Sequence, residues 1–241
     1  MSMGRARRVS EDAFELLLRA RRIPFVSERG LEDLVAIQGG KRPDFCLDVG
    51  SPRVLVEVTE LTAPGPLDRI HNRVGAFDGG AITRRIRDEI ADEKVQLKPY
   101  GASGHPTLVV LANPHRVGVP LGNRELLQLF GEIALSVPFD GKELRMEEGV
   151  LVHTKNRVLS DHQTKYISAV GVLEGLPRPS YFGEPAEQMT SNRLRVRIVH
   201  NPHADVPLSR TIFAAPNDVN IAYDAEQRMW IDHSTGAPVE L

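Results

Sequence analysis

Asp44 and Glu57 are the residues whose types and spacing suit chemistry best. Both lie in "KRPDFCLDVGSPRVLVEVTEL", residues 41–61. The apolar, β-branched runs around them read as two short strands joined by a Gly50-Ser51-Pro52 turn. Side chains alternate across a strand, so Leu55, Glu57, Thr59 and Leu61 share one face and Val54, Val56 and Val58 the other. The valine face belongs on a core, and an α/β sheet covers its second face with helix as well. A lone ionised carboxylate is very costly to bury there, so Glu57 must be paired, hydrogen-bonded or bound to a cation. An antiparallel hairpin brings Asp44, at the start of the first strand, alongside the strand of Glu57. Two carboxylates brought close repel each other, and a divalent cation relieves this. Hard oxygen ligands favour Mg²⁺ or Mn²⁺ over zinc. The competing readings are a strand-capping aspartate next to a turn, and an edge-strand glutamate that blocks aggregation.

Other elements must position this pair. "SEDAFELLLRARRI", from Ser10, reads as a helix capped by Ser10 and ended by Pro24, with Glu11 and Asp12 in its first turn. Residues 25–42 read as a mixed connection with a short strand and a helical turn. "AITRRIRDEIADEKVQLK" is a helix with Ile82, Ile86, Ile90 and Leu97 along one face. Continuing the four-residue steps reaches Lys94, which could reach the metal site and stabilise developing negative charge there. Otherwise Lys94 snorkels outward. Gln96 lies on the other flank of that stripe and is a candidate nucleic-acid contact. "HPTLVVLAN" reads as a buried strand, and "NRELLQLFGEIAL" as a helix capped at Asn123. Strands follow at "YISAVGVLE", "RLRVRIVHN" and "TIFAAP", with a last hairpin through "MWIDH". The pattern predicts one α/β domain over residues 1–241, with a core over about 10–136 and a β-rich extension over about 149–241.

The 241 residues are enough for a sizeable core. Lys plus Arg is 30 against 32 Asp plus Glu, for a net charge of -2. This argues against non-specific coating of nucleic acid or membrane and leaves room for a local basic surface. Arg84, Arg85 and Arg87, with Arg5, Arg7, Arg8, Arg19, Arg21 and Arg22, are candidate phosphate contacts if they converge. Cys46 is the single cysteine, which excludes a disulfide framework and reads as a small buried hydrophobe in a reducing compartment. No apolar run approaches the roughly 20 residues that span a bilayer. The expected location is the cytoplasm, without a membrane partner.

The Pro43-Asp44 step, the "VEVTE" strand, the isoleucine-rich helix ending in "EKVQLK" and the strand "PTLVVLAN" together resemble the PD-(D/E)xK nuclease superfamily, the restriction-endonuclease-like fold. The resemblance covers about residues 10–112. It implies an αβββαβ core with a central mixed sheet and a Mg²⁺-dependent (or Mn²⁺-dependent) nuclease acting on DNA. Asp44, Glu57 and the Val58 carbonyl would hold the metal, Lys94 would orient or deprotonate the water, and Glu15 on the first helix would add an oxygen, with Glu11 as its competitor. Thr59 departs from the pattern: it stands where the motif lysine belongs and offers only a hydroxyl. A rival expectation follows from that departure, a module that binds nucleic acid or a protein partner without cutting. Residues 200–208, "HNPHADVPL", are similar to tails behind such domains in bacterial and phage proteins. A homodimer is compatible with one site cutting one strand.

Overall fold

A computed structural model describes residues 8–33, 42–61, 79–114, 121–130, 132–135, 149–152, 159–160, 164–176 and 188–239. Within these, the side chains of residues 29, 32–33, 79–85, 92–95, 132–135 and 149–152 lie outside the described set, Arg84, Arg85 and Lys94 among them. The segment after the second core strand, residues 62–78, lies outside it too.

The first half runs α1 (Val9–Ala20), β1 (Phe25–Ser27), a short 3₁₀ helix (Glu28–Asp33), β2 (Phe45–Leu47), β3 (Val54–Glu60), α2 (Gly79–Ala102) and β4 (Thr107–Ala112). β1, β2 and β3 pair antiparallel in turn, and β3 pairs parallel with β4, the long α2 carrying the chain between them. The second half adds α3 (Asn123–Leu127), a separate β5–β6 pair (Glu132–Leu135, Gly149–Val152), then β7 (Ala169–Glu174), β8 (Arg195–His200), β9 (Val219–Asp224), β10 (Met229–Asp232) and β11 (Ala237–Pro238). These later strands continue the same sheet. Among the described residues its order is β1-β2-β3-β4-β7-β8-β9-β10-β11, nine strands of mixed direction. The fold is therefore mixed α/β.

Helices cover both faces, as strands buried on both sides like β3 and β4 require. On one face Ala13, Phe14, Leu17 and Leu18 of α1 pack on Val54, Val56, Val58, Leu108 and Val110. On the other, Ile86, Ile90 and Leu97 of α2 and Leu126 and Leu127 of α3 pack on Val109, Leu111, Val170 and Val172. The expected alternation of β3 thus holds.

Four sequence expectations need correction. α1 begins at Val9, with Arg8 as its N-cap, and ends before Pro24. Ser10 lies inside the first turn, where its N–H and hydroxyl both donate to Glu60 Oε1 of β3, at 3.0 and 2.7 Å. The helix expected at 123–135 stops at Leu127, and Glu132–Leu135 is a strand whose pairing with β6 overrides local propensity. Its first residue is Asn123, not the cap; Gly122 takes that position and its N–H donates to Glu125 Oε2 at 2.9 Å. "TIFAAP" is a turn, because Phe213 is drawn in against Phe14 with ring centroids 6.2 Å apart.

Candidate functional site: a notch between two strands

The β2–β3 register pairs Phe45 with Val56. One residue further, Asp44 stands opposite Glu57, and two further, Pro43 stands opposite Val58. In an antiparallel ladder the N–H and C=O of one residue point to the same neighbour. Those of Val58 therefore point at Pro43, which has no N–H to return. The ladder stops there. The Val58 N–H donates instead to Asp44 Oδ2 at 2.8 Å. The Val58 carbonyl accepts from Arg8 Nη1 at 3.3 Å. The Pro-Asp step thus opens a notch in the sheet, floored by a main-chain carbonyl and bordered by Asp44. Asp44 does cap the strand, and the cap sets its carboxylate beside Val58.

Glu57 is only 4% exposed and lies on the α2 side of β3. Its Oε2 accepts from Gln96 Nε2 at 2.5 Å, and the same Nε2 donates to the Arg42 carbonyl at 2.8 Å. Both N–H bonds of one amide are then used, one on the carboxylate and one on the chain entering β2. Two residues along β3, the Thr59 hydroxyl lies 3.4 Å from Glu89 Oε2. Glu89 and Gln96 are seven residues apart, two turns of one helix face. That α2 places Gln96 over Glu57 and Glu89 over Thr59 means it runs antiparallel to β3, as a helix linking two parallel strands does.

Gln96 is accordingly part of the carboxylate site, where the sequence reading gave it a nucleic-acid contact. Lys94, two positions earlier, lies about 160° round the helix axis from it. The Lys94 side chain lies outside the described residues, as do those of Arg84 and Arg85. Arg87 reaches back to the Gln128 carbonyl at 3.4 Å.

Glu15 pairs with Arg19 at 2.6 Å and lines a cleft of about 470 Å³ with Arg19, Phe25, Val26 and Gly30, beside the edge strand. α1 packs on the valine face, opposite to the face of Glu57. Glu11 lies nearer the notch in connectivity: its Oε1 is 3.9 Å from Nε of Arg8, the residue on the Val58 carbonyl. Arg21 does not join a basic face. Its guanidinium grips Asp218 through two hydrogen bonds, at 2.9 and 3.1 Å.

The donor set suits a hard divalent ion: two carboxylate residues facing each other across a strand pair and a carbonyl outside the ladder. Among the described residues no three His, Cys, Asp or Glu side chains gather into a group that could hold a metal ion. Cys46 is fully buried and burial pushes its thiol up to about 11, which leaves it inert. No described helix is long and apolar enough to cross a membrane. Compared with protein-family models, with curated proteins and with solved structures, the chain matches none.

Proposed function

We propose that this protein is a metal-dependent nuclease of the PD-(D/E)xK type that hydrolyses phosphodiester bonds in DNA. The observation that carries this reading is the Pro43 notch, where Asp44 faces Glu57 with the Val58 carbonyl beside them. The run α1-β1-β2-β3-α2-β4, paired antiparallel, antiparallel and parallel, agrees with a restriction-endonuclease-like core. Asp44, Glu57 and Val58 O would hold Mg²⁺ or Mn²⁺, which supplies Lewis-acid polarisation of the phosphate and of an attacking water. Gln96 fixes the orientation of the Glu57 carboxylate. Lys94 is the proposed group that orients the water, and Arg84, Arg85 and Arg87 the proposed contacts to the DNA backbone. A second copy of the chain would serve the second strand of a duplex, since one notch serves one strand.

A second reading, a nuclease-fold module that binds without cutting, is favoured by one observation. Thr59 occupies the strand position next but one to Glu57, where a lysine would sit, and its hydroxyl faces Glu89.

The discriminating experiment incubates plasmid and single-stranded DNA with the protein and Mg²⁺ or Mn²⁺. Cutting by the wild type that falls on the order of 100-fold or more in Glu57→Gln, Asp44→Asn and Lys94→Ala supports the nuclease. Retained DNA binding without any cutting supports the second reading. Cutting unchanged by Glu57→Gln removes the mechanism.

A further inference from the structure

Arg8 is the one described side chain that donates to the Val58 carbonyl, at 3.3 Å. It does so across 50 residues of sequence, from the N-cap of α1. The side chain is 32% exposed, so it is in part open to solvent. The second tie is loose, 3.9 Å to Glu11. By contrast the helix end that carries it is fixed, since Ser10 clamps Glu60 through both its N–H and its hydroxyl. A long cationic side chain on a fixed base therefore sits on the same carbonyl oxygen that the metal reading needs.

We infer that Arg8 changes partner with the state of the site: it holds the Val58 carbonyl while no ion is bound, and binds a phosphate oxygen of the DNA once an ion takes that carbonyl. This rests on the metal-site reading above. The carbonyl oxygen has two lone pairs, but a guanidinium and a divalent ion on the same oxygen lie a few ångströms apart and repel, so the ion disfavours the Arg8 contact. Displaced, the guanidinium stays tethered by α1 beside an ion. There the partner that suits its planar fork is an anionic oxygen of a phosphate. Two consequences are thermodynamically linked. Arg8 weakens ion binding in the absence of DNA, and it strengthens DNA binding only in the presence of the ion.

The test measures Mn²⁺ affinity by calorimetry for the wild type, Arg8→Ala, Arg8→Gln and Glu57→Gln. It then measures affinity for a short phosphorothioate duplex with and without Mn²⁺, for the wild type and Arg8→Ala. Arg53→Ala serves as the charge control, since Arg53 pairs with Asp48 near the far end of the hairpin. Thermal unfolding confirms that each variant is folded. Arg8→Ala should bind Mn²⁺ roughly fivefold tighter or more, a coupling of ordinary size, with Arg53→Ala like the wild type. Arg8→Gln, neutral but still able to donate, should fall between. The duplex should bind Arg8→Ala roughly fivefold more weakly with Mn²⁺ and within about twofold of the wild type without it. Mn²⁺ affinity unchanged or lowered in Arg8→Ala overturns the inference, as does an equal loss of duplex binding with and without Mn²⁺. If Mn²⁺ binding is lost in Glu57→Gln but indifferent to Arg8, only this inference falls. If neither the wild type nor Arg8→Ala binds Mn²⁺, the metal-site reading falls and takes the inference with it.

Discussion

The amide of Gln96 joins Glu57 of β3 to the Arg42 carbonyl ahead of β2, through one nitrogen at 2.5 and 2.8 Å. Three segments that meet nowhere in sequence are thus tied at the buried carboxylate. Gln96→Ala takes a donor from a carboxylate that is almost fully buried, a loss of about 1–3 kcal/mol. Gln96→Glu should cost more, because it sets a second acceptor and a second negative charge against the first. Urea unfolding at neutral pH orders the three proteins. A Gln96→Glu protein as stable as the wild type contradicts the arrangement.

Arg21 and Asp218 form an ion pair in which the Asp218 side chain is fully buried and its Oδ1 also accepts the Val196 N–H at 3.1 Å. Truncating Arg21 leaves that carboxylate buried with one main-chain donor, so Arg21→Ala should cost on the order of 3 kcal/mol. Arg21→Met with Asp218→Asn should recover much of it, since asparagine keeps an acceptor for Val196. The comparison is made by urea unfolding, and a double variant less stable than Arg21→Ala contradicts it.

His200 is 7% exposed, and burial lowers its pKa from the ordinary 6.5 to about 4, against a hydrogen bond to Asn220 Oδ1 that works the other way. The unfolded chain therefore takes up a proton that the folded chain refuses. The stability contributed is present above about pH 6.5 and is lost as pH falls toward 4. Replacing the imidazole by the non-titrating amide of His200→Gln should flatten the decline in unfolding free energy between pH 7 and pH 4.5. It should not abolish the decline, because burial shifts the more exposed His233 in the same direction. Identical pH profiles would contradict the assignment.

Gly175, just after β7, has φ +81°, and a Cβ there would lie 1.9 Å from the Arg193 carbonyl oxygen. Both the backbone angle and the approach of the turn leading into β8 exclude a side chain. Gly175→Ala should destabilise by more than about 2 kcal/mol, read as a lower thermal midpoint. Gly104→Ala, at φ +85° with open space around it, should cost less and so separates strain from contact.

The two-residue alternation of a strand made much of the site legible in advance. It assigned Glu57 and Thr59 to one face of β3 and three valines to the other, and the hairpin turn brought Asp44 across. The lysine was harder to place because four-residue steps along a helix drift by about 40° each. Two such steps from Ile86 reach Lys94 at the margin of the stripe, while Leu97 and Tyr100 mark its buried line. Gln96 carried a usable signal, since it lies seven residues after Glu89 and one before buried Leu97. Arg8 and Arg21 carried none: their partners lie 50 and 197 residues away, and only the assembled sheet brings them together. The sheet order was equally hidden, because nothing local says that β7 pairs with β4.

That order bears on synthesis. The notch draws on residues 8 to 96, yet the strand flanking β4 is β7, and the carboxylate that receives Arg21 arrives only at residue 218. A chain leaving the ribosome from its N-terminus holds the apolar flanks of α1 and β4 uncovered until those later pieces emerge. A transcript with a premature stop codon anywhere before that point would encode the acidic pair without the frame that keeps it in place, and proteases rather than substrates would find it first.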